Sequence, residues 1–169
     1  LDYERVTGDR ERVCDARRTA EEYLLARGLY RRLSTGEPVA PWVVRLAYPF
    51  RWFYSVLNAA DYFRAASIHD GTAPDQRMAD AIEQIRAARQ PDGTWLQTRR
   101  HPGRVWFEVD VPAGEPSKWV TFYATRVLEW WDDRAHPGDH RSMAQLSRWA
   151  VRGLGRLSER REEEHVDVE

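Results

Sequence analysis

Two cations occupy matching places in this chain: Arg51 in Pro49-Phe50-Arg51-Trp52 and Lys118 in Pro116-Ser117-Lys118-Trp119, 67 positions apart counted from Pro49 to Pro116. Each precedes a tryptophan and opens an apolar run. Both are therefore expected at helix N-termini, where unsatisfied backbone N–H groups and the helix dipole favour an anionic or polar group. A carboxylate or phosphate held by Arg51 and Lys118, with Trp52, Tyr54, Trp106, Trp119 and Tyr123 around an apolar tail, is the ligand site these residue types predict. The competing reading puts the cations in salt bridges, with Glu108 or Asp110 as partners, and the tryptophans in the core.

A second group, His101, Arg104 and Glu108, falls where helical periodicity lapses. A loop there could supply polar groups or a lid over the site. An imidazole beside a carboxylate can move protons, so His101 and Glu108 are the catalytic candidates, for simple lyase or isomerase chemistry. The other reactive side chains carry less. His136 and His140 match the spacing of a helical zinc pair, but Pro137-Gly138 breaks the helix that spacing needs. Cys14, the single cysteine, can form neither an internal disulfide nor a thiolate cluster. Ser55, Ser117 and Ser142 lack the strand-turn-helix setting of a nucleophilic serine. No metal and no cofactor is expected.

Helices must position these groups. Val13, Ala16, Ala20, Tyr23, Leu24 and the Arg27 stem recur at three- and four-residue spacing, predicting a helix over 10–27 that Gly28 terminates. A second helix is expected over 51–67, apolar over more than half its circumference through Trp52, Val56, Leu57, Ala60 and Phe63, as an inner helix touching neighbours on two sides would be. Asp70-Gly71 closes it. Pro74-Asp75 opens a third helix to about residue 89, with a narrower stripe of Met78, Ala81, Ile82 and Ile85 that marks it as an outer one. Pro91-Asp92-Gly93-Thr94-Trp95 reads as a reversal plugged by the indole. An extended stretch or short hairpin follows near 96–112. A fourth helix, with Ser117 as N-cap, is expected to about residue 132, and a fifth over 139–157. Residues 158–169, dominated by Arg and Glu, form a charged tail beyond a single domain of residues 1–157.

The bulk properties bound the partners. Lys plus Arg (26) nearly cancels Asp plus Glu (27), so no global positive field collects polyphosphate and nucleic acid is not expected. A mean hydropathy of -0.72 and arginines breaking every apolar run exclude a membrane span. All the basic residues except Lys118 are arginine, which points to a GC-rich genome, and the lone thiol fits a reducing cytoplasm.

With helices on both sides of Pro91-Asp92-Gly93-Thr94-Trp95 and Trp-led inner helices repeating, residues 20–132 resemble the squalene cyclase and protein prenyltransferase superfamily. Gly93-x-Trp95 matches the end of that family's glutamine-tryptophan repeat. Arg89 stands where the repeat has glutamine, and Gln90 comes one position late. His101-Pro102-Gly103 ahead of a Trp-led helix is similar to short bacterial cyclase-like proteins. The resemblance implies an all-α fold, an α/α toroid of paired helices around an aromatic-lined cavity for a small apolar or isoprenoid-like ligand. About five helices make only a partial toroid, so a homo-oligomer or a missing N-terminal half would complete the ring. The resemblance does not bring the family's chemistry. The cyclase acid Asp-x-Asp-Asp is absent, since Glu108-Val109-Asp110 and Asp132-Asp133 lack its spacing. His136 spoils Asp-Asp-x-x-Asp, and Cys14 lies far from the Asp and His that would complete a prenyltransferase zinc site. The alternative function is a structural module that docks a partner through open hairpin edges.

Overall fold

The computed structural model describes residues 1–6, 10–100 and 103–135, which belong to one compact unit, Leu1–Ala135. The expected fifth helix, the tail, His101, His136 and His140 lie outside the described residues. The fold is all-α: α1 (Asp2–Val6), α2 (Arg10–Leu25), α3 (Val56–Asp70), α4 (Ala79–Ala87) and α5 (Lys118–Ala135), with isolated β-bridges and no strand among the described residues. No helix among them is long and apolar enough to cross a membrane.

The core is built on α3, α4 and α5, each packed against the other two. Around α3, Val56, Leu57, Ala59, Ala60, Phe63 and Ala66 are buried, the broad apolar surface its sequence predicts. α4 contributes only Ala81, Ile82 and Ile85, following Met78 of the preceding 3-10 turn Gln76–Met78. Asp61 of α3 pairs with Arg126 of α5, while Phe63 and Ser67 share a groove with Trp130. Contacts that advance along both helices together mean that α3 and α5 run parallel, with their N-termini toward the same end.

Those N-termini are capped alike. Ser55 Oγ accepts from the Asn58 N–H at 3.2 Å, and Ser117 Oγ accepts from the Val120 N–H at 3.0 Å. The start expected at Arg51 is corrected: Arg51 takes φ 48°, a left-handed conformation that cannot belong to a right-handed helix, and α3 begins only after Ser55. The matching repeat is thus the pair of capping serines rather than the pair of Pro-x-x-Trp segments. At its other end α3 stops at Gly71, φ 66°, whose N–H bonds back to the Ser67 carbonyl.

The stripe expected on α2 is also corrected. Ala16, Ala20 and Tyr23 face solvent, and the buried side is led by Arg17 with Glu21, Leu24 and Leu25 behind it. Arg17 Nε donates to Glu4 Oε2 at 2.8 Å, Nη1 to Glu21 Oε1 at 2.8 Å and Nη2 to Asp70 Oδ1 at 2.8 Å. One guanidinium therefore joins α1, α2 and the end of α3. A hydropathy pattern cannot show this, because it scores arginine as a surface residue.

The turn at 91–95 follows its sequence. Gly93 takes φ 88°, the Gln90 N–H donates to the Thr94 carbonyl at 2.8 Å, and Trp95 is buried with its Nε1 donating to the Ile85 carbonyl at 2.7 Å. The stretch beyond closes on itself through the Leu96 and Pro116 bridge and the Gly114 N–H to Gln97 carbonyl bond at 2.7 Å. It forms the base of a hairpin-like excursion that holds no strand among the described residues.

Candidate functional site

The loop before α3 and the stretch before α5 meet at the end where both helices begin. Gln97 fastens them. Its buried amide accepts from the Tyr48 N–H at 2.9 Å and donates to the Tyr48 carbonyl at 2.6 Å, so one side chain reads the backbone of the opposing segment as a strand partner would. Thr98 adds two bonds to the Leu46 carbonyl, from its N–H at 2.9 Å and its hydroxyl at 2.7 Å. Tyr48 is thereby held against α5, stacked on Trp119 at 5.1 Å and Tyr123 at 5.8 Å, and Phe50 meets the Tyr123 ring edge-on at 4.7 Å.

Beside this aromatic stack lies a cleft of about 80 Å³. Tyr48, Pro49 and Gln97 form its inner wall, and Val105, Phe107, Val109 and Val111 form the apolar side. Its charged groups are Arg51, Arg100, Glu108 and Asp110. Three of the four are matched within the protein. Arg100 pairs with Glu108. Asp110 Oδ2 accepts from Ser117 Oγ at 2.5 Å, at the N-terminus of α5 where the positive end of the helix dipole favours its charge. Asp110 Oδ1 is buried without a donor among the described residues, a cost of about 1–3 kcal/mol that a hydroxyl brought to it would relieve. Arg51 has no ion-pair partner among the described residues.

The candidate site residues are thus divided. Arg51 and Glu108 share this cleft. Trp119 and Tyr123 lie in the stack behind it, Trp119 donating from Nε1 to the Val109 carbonyl at 3.1 Å. Lys118 is exposed, with its ammonium 5.6 Å from the Trp119 ring, and forms no part of the cleft wall. Arg104 and Trp106 border an adjoining hollow that meets the cleft at Val105. Trp52 is exposed and stacks on Phe53 at 5.6 Å. Tyr54 faces another side: its hydroxyl donates to the Leu29 carbonyl, and burial pushes its pKa up to about 12. The five aromatics therefore do not converge on one cavity among the described residues. Tyr48, Gln97, Arg100 and Asp110 enter the site without having been singled out as ligand contacts. Asp110 alone had a signal, as half of the Glu108-Val109-Asp110 carboxylate pair.

No family model matches this sequence, and neither a curated protein nor a solved structure matches the chain. The functional reading rests on the cleft itself.

Proposed function

We propose that this chain is an arc of an α/α toroid of the cyclase and prenyltransferase kind, and that the cleft at the N-terminal ends of α3 and α5 binds a small amphiphile with an anionic head. The observation that carries the reading is the charge balance of the cleft. With Arg100 matched to Glu108 and Asp110 held at the α5 N-terminus, Arg51 is left to pair with a ligand carboxylate or phosphate. A left-handed backbone at a residue other than glycine, asparagine or aspartate costs about 1–2 kcal/mol. Arg51 carries that strain on the cleft wall, where no ion pair among the described residues uses its guanidinium and a bound anion would. The apolar body of the ligand lies along Val105, Phe107, Val109 and Val111. The parallel, serine-capped α3 and α5, with α4 packed on both, support the toroid reading.

The test compares citronellate with citronellol, which share an isoprenoid body and differ in the charged head. Isothermal titration calorimetry is expected to show citronellate binding and citronellol binding at least about tenfold more weakly, the size of one charge-assisted contact. Arg51→Ala is expected to erase the difference. Equal binding of the two probes by the unaltered protein, or an Arg51→Ala variant that retains the preference, rules the reading out.

A further inference from the structure

Around the cleft mouth exposed aromatics lie beside arginines, and of the two carboxylates there Glu108 is paired with Arg100 and Asp110 is bonded to Ser117. Trp106 is 101% exposed and Phe107 73%, far beyond what scattered surface aromatics need. They form a connected zone. Phe107 and Arg51 line one cleft, and Val105 joins that cleft to the hollow bordered by Arg104 and Trp106. Arg104 is exposed, as is Arg51.

We propose that this zone docks on an anionic lipid surface, with Trp106 and Phe107 entering the interfacial layer and Arg51 and Arg104 meeting the headgroup phosphates. Large aromatics at the level of the headgroups and arginines beside them are the two complementary requirements of an anionic bilayer surface. A single-stranded nucleic acid would use the same cations and rings, but it gains nothing from aliphatic side chains, and here Val105 and the 41% exposed Val109 stand among the aromatics. The chain's net charge of -1 also supplies no wider field for a polyphosphate, whereas a local patch suffices against a planar charged membrane. The inference shares Arg51 and Phe107 with the proposed ligand site, and flotation without added amphiphile tests it apart from that reading.

The experiment is vesicle flotation of the whole protein with phosphatidylcholine alone and with an equimolar phosphatidylcholine and phosphatidylglycerol mixture. Binding to the mixed vesicles is expected to exceed binding to phosphatidylcholine by about tenfold or more, roughly what two arginines at an anionic surface supply. Trp106→Ser with Phe107→Ser is expected to abolish flotation, and Arg104→Gln to lower it on mixed vesicles only. These residues are exposed, so circular dichroism should show each variant folded. Flotation that ignores lipid charge, or that survives the double substitution, overturns the proposal. So does tighter binding of a single-stranded oligonucleotide that these substitutions remove, or self-association in which Trp106 is consumed before lipid is added.

Discussion

In the proposed reading, Arg51 trades stability for binding. Its φ of 48° belongs to the left-handed region, where a Cβ crowds the following carbonyl and glycine does not. Arg51→Gly is therefore expected to raise the free energy of unfolding by about 1 kcal/mol in urea titrations. The same variant should lose citronellate binding, because the guanidinium goes with the strain. A destabilised Arg51→Gly would mean that the arginine makes contacts worth more than its backbone costs, and the cleft would then lack its free cation. The residue was legible as a candidate from its type and its neighbour Trp52, whereas its conformation was not. No local pattern distinguishes an arginine in the first turn of a helix from one held in a left-handed corner four residues earlier than the cap.

At the level of elements, the two serine caps invite a direct comparison. Ser55 satisfies one orphan N–H of α3, while Ser117 satisfies one of α5 and also donates to Asp110. Ser55→Ala should cost about 1 kcal/mol, a typical cap loss, and Ser117→Ala about 2 kcal/mol, because it leaves both Asp110 oxygens without a donor. Thermal melts of the two variants measure the difference, and equal losses would show that the bond to Asp110 contributes nothing. These elements were read with uneven success for a physical reason. α4, α5 and the Gly93-x-Trp95 turn follow rules internal to their own segments: a narrow apolar stripe, a cap, a glycine at positive φ and an indole that reaches back ten residues onto α4. α2 does not, since its buried side is led by an arginine whose partners come from α1 and from the end of α3.

Across the whole molecule, that arginine sets the response to acid. Glu4 and Asp70 are both held below the usual carboxylate range by hydrogen bonds from Arg17, with burial opposing the shift in each. The folded chain therefore binds fewer protons than the unfolded chain as these groups titrate, and stability rises with pH through that window. The contribution is complete above the unfolded carboxylate values, about pH 4–5, and drains away as the pH falls through the lower folded values. Denaturation midpoints should be level from neutrality to about pH 5 and then fall, and Arg17→Met should be less stable at neutrality with a flatter acid limb. An unchanged acid limb in Arg17→Met would place the acid sensitivity elsewhere, with Asp80, held low by Arg31, as the next group to remove.

By itself the sequence determined the all-α class, the positions of α4 and α5 and the end of α3 to within a few residues, the Trp95 plug and the hairpin-like excursion after it. Each of these depends on side chains close in sequence, whose spacing and conformational preferences persist whatever lies next to them. It also identified Arg51 and Glu108 as residues worth watching. Only the tertiary structure decided that Arg51 and Glu108 share a cleft that Lys118 does not enter, that Gln97 locks Tyr48 against α5, and that Asp110 keeps one buried oxygen without a donor among the described residues. Those facts depend on which segments meet across some fifty positions of chain, as Tyr48 and Gln97 do. A meeting of that kind is set by the packing of α3 against α5, and no period within either segment encodes it.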